Sequence, residues 1–412
     1  MTSSHLPPNG SPLLDTPLHL AVALDGAGWH PAAWRESRAR PDELTGARYW
    51  ADLVRTAESG LLDLVTIEDA LALQPTVPDG PDDRLDRVRG RLDAVLIASR
   101  VAPLTRHIGL IPTATTTHTE PFHVSKAIAT LDHVSLGRAG LRAQVSRPVE
   151  NAHFGRRELG EVSLADPGTP AARAFVAEHF GEAEDFLEVV RRLWDSWEDD
   201  AEIRDAATGR FIDRDKLHTV DFQGRWFSVR GPSIVPRPPQ GQPPVAVLAH
   251  ESLPYRLGAR QADVVFVTPR DVEQARAIVA EIRAEQSAAG RERDTVHVFA
   301  DLVVLLADTA EAAQERLARL DERAGAPIAS DALVFAGTAA ELADTLLAWQ
   351  RAGLTGYRLR PAVLPDDLDA VVGRLVPELQ RRGAFRTAYG EETLRSRLGL
   401  PHPANRYATP AG

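Results

Sequence analysis

The chain has 412 residues, 43% of them hydrophobic and 25% charged, which suits one large α/β unit with insertions better than two average domains. Its formal net charge is -11, with arginine spread throughout, so no basic stripe is offered to nucleic acid. There is no cysteine, and Lys126 and Lys216 are the only lysines; this excludes disulfides, thiolate metal sites and cysteine nucleophiles and leaves little for Schiff-base chemistry.

Residues 1–17, MTSSHLPPNGSPLLDTP, lack a basic-then-apolar leader and read as a flexible N-terminal arm. No apolar run reaches the roughly 20 residues of a membrane span, so a cytoplasmic protein without membrane contact is expected. From Leu18 on, short β-rich runs alternate with amphipathic helices. Strands are predicted at Leu18–Leu24, Leu62–Ile67, Ile108–Pro112, Ala139–Val145, Pro244–Leu248, Asp263–Val267, Val296–Leu306 and Gly356–Leu359. The intervening helices run from Gly46–Ser59 to Asp366–Arg382. Eight strands alternating with helices are what close a TIM-type (β/α)8 barrel. The expected organisation is one α/β barrel domain over 18–382, an insertion or lid at 197–242, and a C-terminal tail at 383–412 that wraps the barrel or a partner subunit.

The stretch from His107 to Ser146 reads as strand, polar tip, helix, strand. Its first strand ends in Thr113, Thr115, Thr116 and Thr117. Small hydroxyls at the carboxyl end of a buried strand line ligand sites in α/β barrels, although a threonine-rich turn also satisfies its own backbone. Asp69 closes the second strand, as a site acid or a helix cap. Arg142, Gln144 and Ser146 end the fourth; Arg142 suits an anionic ligand or a barrel-lining ion pair. His30, His118 and His123 lie in loops or at a helix start. With no His-X-His at a strand end and no tight carboxylate cluster, no metal site is expected.

Several strings carry a resemblance: EPFH (120–123), LDHVSLGRAG (131–140), WEDD (197–200), FSVRGP (227–232), VPRPPQGQP (235–243), VPELQRRGAFR (376–386) and PANRY (403–407). Together they resemble the nitrilotriacetate monooxygenase branch of the bacterial luciferase-like flavin proteins, in order, over roughly residues 18–407. The resemblance implies a TIM-type barrel and dissociable reduced FMN from a separate flavin reductase. It also implies dioxygen as co-substrate, a small or medium organic substrate, and a homodimer. Such chemistry needs a cavity that keeps water out.

The resemblance further places Asp69 near the flavin, Thr113 and Thr115 at its ring edge, and Arg142, Gln144 and Ser146 at the tip of strand four, where Arg142 replaces the usual asparagine and Val145 the usual threonine. It places His30 on the substrate side and has His118 face the pocket, as catalytic candidates. The phosphate grip departs from the pattern: Glu251 falls where a phosphate would lie, and Phe180 stands for a tyrosine. His250 and Ser252, with Arg256, are expected to rebuild that grip. If they do not, the alternatives are a deazaflavin-dependent oxidoreductase or a non-catalytic member with a decayed phosphate site.

Overall fold

A computed structural model describes residues 17–74, 84–155, 157, 162, 168–390 and 392–408; residues 1–16 of the expected arm lie outside the described residues. Eight parallel strands close on themselves: β1 (His19–Leu24), β2 (Leu64–Ile67), β3 (Gly109–Thr115), β4 (Leu141–Gln144), β9 (Val245–Ala249), β10 (Val264–Val267), β11 (His297–Leu306) and β13 (Gly356–Pro361), with β13 pairing back onto β1. Between β4 and β9 lie two antiparallel hairpins, β5 (Glu202–Asp205) with β6 (Arg210–Ile212) and β7 (Phe222–Gln223) with β8 (Ser228–Val229). The helices in chain order are α1 (Ala47–Ser59), α2 (Ala94–Val101), α3 (Pro121–Ser135), α4 (Pro148–Asn151), α5 (Pro170–Asp195), α6 (Ser252–Gln261), α7 (Val272–Ala288), α8 (Ala310–Ala324), α9 (Ala339–Gln350), α10 (Asp366–Ala370), α11 (Val376–Arg381) and α12 (Leu394–Arg397). Among the described residues no helix is long and apolar enough to cross a membrane.

The strands are buried on both faces, which is why they read as near-continuous apolar runs such as VVFV in β10. Helix starts follow local chemistry. The Thr169 hydroxyl accepts from the Ala172 N–H at the head of α5, and Thr338 with Glu341 forms a capping box on α9. The predicted single helix over 366–382 is instead α10, a π turn at Val371–Leu375, and α11. Pro377 has no N–H to continue the α ladder, and the widened turn absorbs the defect.

All eight predicted barrel strands overlap observed ones. A ninth, β12 (Leu333–Gly337), was not predicted. It exists because β11 is ten residues long. The start of β11 pairs with β10, and its outer half, from Leu302, is free to take β12 alongside.

The tail lies against the outside of the barrel at its end, where Asn405 donates to the Asp195 carbonyl (2.8 Å) and Arg406 to Glu188 (3.0 Å), and before that it seals the barrel floor. Leu394, Leu398 and Leu400 pack among Ala21, Leu64, Ile111, Val264 and Phe299 inside the N-terminal end of the barrel. Gly109 makes room for the plug, since a Cβ there would lie 2.5 Å from Leu394. Polar ties fasten it: Arg397 donates to the His107 carbonyl (2.6 Å), Arg395 to Asp263 (3.3 Å) and Arg386 to Asp63 (2.5 Å), while His297 meets the Leu398 carbonyl (2.7 Å).

Asp63 and Asp263 set an acid limit on stability. Burial alone raises their pKa, but His19 and Arg386 beside Asp63, and Arg191 and Arg395 beside Asp263, more than reverse it and hold each at about 2. Folded-state values below the unfolded value mean that their stabilisation is present above about pH 4 and lost as pH falls through about 2. Each group is expected to lose on the order of 2 kcal/mol over that window. Urea titrations at pH 5, 4, 3 and 2 check this; a stability independent of pH below 4 contradicts it.

Candidate active site

The carboxyl ends of the strands surround a cavity of about 570 Å³. Phe175, Val176, Phe180 and Ala183 of α5 face Val247, Leu248 and Leu257 across it, with Trp29 at the β1 side. Polar groups enter from the tips of β2, β4, β9 and β13: Glu68, Arg142, Gln144, Ser146, Arg147, His250 and Arg360, with Arg91 and Asp331 from loops.

Beneath the cavity the barrel interior holds ion pairs rather than aliphatic layers. Arg142 Nη1 donates to Glu68 Oε2 at 2.7 Å, and Arg358 Nη1 donates to Glu68 Oε1 at 3.2 Å and to Thr66 Oγ1 at 3.2 Å. Arg358 Nε reaches Asp301 Oδ1 at 2.9 Å, Arg360 Nε reaches Asp301 Oδ2 at 2.8 Å, and Arg360 Nη1 reaches Asp331 Oδ1 at 2.6 Å. The guanidinium of Arg358 lies 4.4 Å from the Phe266 ring centroid, and that of Arg360 lies 4.5 Å from that of Trp29, so both cations are also held by aromatic faces. Burial pushes the Glu68 and Asp301 carboxyls up, yet the arginines around them win and both lie below their ordinary values. Burial lowers Arg142 to about 10, which leaves it charged at neutral pH.

The structure brings four of the ten candidate residues to the cavity wall: Arg142, Gln144, Ser146 and His250. Thr113 lies directly behind the wall, fully buried, and accepts from Arg142 Nη1 at 3.2 Å. The rest of the threonine cluster serves the backbone: Thr116 donates to the Gln144 carbonyl, Thr117 accepts from the Ser146 N–H, and the Thr115 carbonyl accepts from Thr119. Asp69 uses its two oxygens on the N–H groups of Ala70 (2.7 Å) and Ala94 (3.0 Å), so its carboxylate holds the start of α2; burial pushes its pKa up.

His30 is away from the cavity wall. Its Nδ1 accepts from the Ala32 N–H and its Nε2 donates to Asp321 at 3.0 Å, which ties the β1 loop to α8. Burial lowers its pKa. His118 stacks on Phe154 with centroids 4.3 Å apart and donates through Nε2 to Asn151 Oδ1 at 2.7 Å. Asn151 Nδ2 donates onward to His179 Nε2 at 3.3 Å, and His179 Nδ1 donates to the Phe175 carbonyl at 2.9 Å. His118 is thus joined to the cavity through His179, which is buried and lines it. Ser252 opens α6 but donates to Glu281 Oε1 at 2.6 Å, beside the exposed Glu251. His250 meets Thr268 (2.9 Å) and Asp331 (3.4 Å), and burial lowers its pKa.

Sequence reasoning missed His179 and the interior set Asp301, Arg358, Arg360 and Asp331 as site residues. A signal existed for the latter: in GYRLRP two arginines stand two apart in a buried strand, which puts both on one face. Among the described residues, no group of three His, Asp or Glu side chains converges as a metal would require.

A closed parallel barrel with its cavity at the strand tips is the architecture of an α/β-barrel enzyme. This chain belongs to the luciferase-like monooxygenase family, whose description matches residues 30–360, and it is an oxidoreductase. It is 31% identical to N-acetyl-S-(2-succino)cysteine monooxygenase of Bacillus subtilis (strain 168), over 95% of this chain and 98% of that one. It is also 31% identical to nitrilotriacetate monooxygenase component A of Aminobacter aminovorans, over 96% and 99%. The solved EDTA monooxygenase from Chelativorans sp. BNC1 superposes with a TM-score of 0.79 at 25% identity, covering 94% of this chain and 99% of that one. The family and the barrel expected from the sequence are both met.

Proposed function

We propose that this protein is a flavin-dependent monooxygenase that takes reduced FMN from a separate flavin reductase and uses dioxygen to oxidise a small or medium organic substrate, as a cytoplasmic homodimer. One observation carries the reading. Arg142 Nε and Ser146 Oγ are buried without a hydrogen-bond partner among the described residues, and both side chains border the apolar-walled cavity. Buried polar atoms are rarely left unsatisfied, so two of them beside one cavity suit a planar ligand with hydrogen-bonding edges. Reduced flavin, when bound, supplies the electrons that activate dioxygen. A relative named as a component A supports a partner that delivers them.

The protein's own contribution is placement and dryness. Phe175, Phe180, Val247 and Leu248 exclude water from the reacting zone. Arg142, Gln144 and Ser146 address the ring edge, with Thr113 holding Arg142 in place from behind. Arg147 borders the same cavity and presents a guanidinium to the anionic tail. His179 lines the cavity with both ring nitrogens already engaged, by Asn151 and by the Phe175 carbonyl, and so acts by shaping the wall. Asp69 and Thr115 act by shaping β2 and β3, and His30 by fixing the β1 loop.

The N-terminus of α6 fits the phosphate poorly. Glu251 stands at its cap position and Glu281 occupies the Ser252 hydroxyl. This favours, as a second reading, a member that binds flavin by its ring alone or has lost catalysis. Glu251→Gln is expected to tighten FMN about threefold and leave riboflavin unchanged, the size of an exposed charge effect at a helix end. Fluorescence titration with both flavins reads this. Free reduced FMN is itself oxidised by dioxygen with release of peroxide, so the readout is this protein's effect on that reaction: slower oxidation of reduced FMN or a lower peroxide yield when the protein is present supports the monooxygenase, and no flavin binding with no such effect sinks it.

A further inference from the structure

Six charged side chains cross the barrel interior in strict alternation: Arg142, Glu68, Arg358, Asp301, Arg360, Asp331. The four inner members are each shared by two opposite charges. The ends are not. Asp331 closes one end against Arg360 with His250 near it, and its side chain is 41% exposed, so water screens it. At the other end Arg142 has Glu68 as its one ionic partner among the described residues, and Arg358 draws on that same carboxylate. Arg142 is buried where water screens little, so the chain of charges is left positive there.

The donors of Arg142 show the same surplus. Nη1 serves Glu68 and Thr113, and Nη2 donates to Gln144 Oε1 at 3.0 Å. Nε is buried and makes no hydrogen bond within the protein. An unspent N–H on a buried, under-neutralised cation at a cavity wall is built to receive negative charge.

We propose that Arg142 makes the site discriminate between flavin redox states, pairing as an ion with the anionic ring of reduced flavin and meeting the neutral oxidised ring only as a charge beside a dipole. The proposal rests on the flavin reading above and goes beyond it by assigning the selectivity to one side chain and its counter-ion. A reduced flavin ring that has released its N1 proton spreads negative charge over N1 and the C2 carbonyl. Arg142 can donate to N1 and the C2 carbonyl in either redox state, but only the reduced anion adds the attraction of two opposite charges, which a buried site screens little. Glu68 tempers the effect, because it takes part of the field of Arg142.

The test titrates FMN anaerobically, in oxidised and in dithionite-reduced form, into the wild type, Arg142→Gln and Glu68→Gln. The wild type is expected to bind the reduced form more tightly. Arg142→Gln is expected to weaken reduced FMN by roughly tenfold or more and oxidised FMN by less than about threefold. Glu68→Gln is expected to move the other way, tightening reduced FMN several-fold, roughly the size of one charge pair partly released. That gain in affinity cannot come from a damaged fold, so it decides the matter even if Arg142→Gln does not fold. Equal losses for both redox forms in Arg142→Gln, or an unchanged redox preference in Glu68→Gln, overturn the proposal and leave flavin binding standing. Binding of neither form by the wild type overturns the flavin reading and the proposal together.

Discussion

Asp301→Ala is expected to lower the unfolding free energy by about 3–5 kcal/mol, the usual consequence of removing one partner from a buried charge pair. Asp301 is fully buried in β11 and neutralises two arginines at once, Arg358 and Arg360, themselves 0% and 2% exposed. Its removal leaves Arg358 with half of Glu68 and Arg360 with the rim carboxylate of Asp331. Asp301→Asn keeps the shape and some hydrogen bonding, so it should cost less than alanine but remain well outside error. Replacing Asp301 and Arg358 together by leucine and methionine should cost less than Asp301→Ala alone, because no stranded charge remains in the middle of the barrel. Urea unfolding followed by circular dichroism measures all three. An Asp301→Ala protein within about 1 kcal/mol of wild type would show that water reaches the interior and that the chain of charges is not buried as described.

Removing residues 391–412 is expected to abolish soluble, folded protein, the largest effect of any change discussed. The deletion takes away three leucines that fill the barrel floor together with the arginines that fasten them. It leaves Phe266 and Phe299 facing water and Asp263 short of one of its two cations. A graded version keeps the prediction measurable. Leu394→Ala should cost about 3 kcal/mol, within the range for leucine truncation in close-packed cores. The side chain is 0% exposed and packs against the backbone at Gly109, which cannot collapse inward to refill the space. A Leu394→Ala protein as stable as wild type would mean that the plug contributes nothing to the barrel.

The eight barrel strands were legible because each is a buried apolar run bounded by turn residues. The cavity wall at β4 was legible because Arg142, Gln144 and Ser146 end a strand in a polar string. What could not be read depends on partners distant in sequence. Asp69 looked like a site acid, and only the fold shows the Ala94 N–H arriving to occupy it. His30 looked free until α8 delivered Asp321. The threonine cluster was half site and half turn, and its division needed the β3–β4 register. β12 was invisible because its edge is created by the length of β11 rather than by its own residues. His179 sits on an amphipathic helix where nothing local separates a cavity-lining histidine from a packed one.

The plug at the barrel floor also imposes an order on biosynthesis. Its leucines and arginines are translated after every strand they touch. Until they leave the ribosome, the nascent barrel has an uncapped hydrophobic underside, and ring closure between the first and the final strand is completed without its keystone. Emergence of the plug, rather than of the last strand, is therefore the event that converts a sticky precursor into a finished barrel, and until then the cell must shield that underside from neighbouring chains.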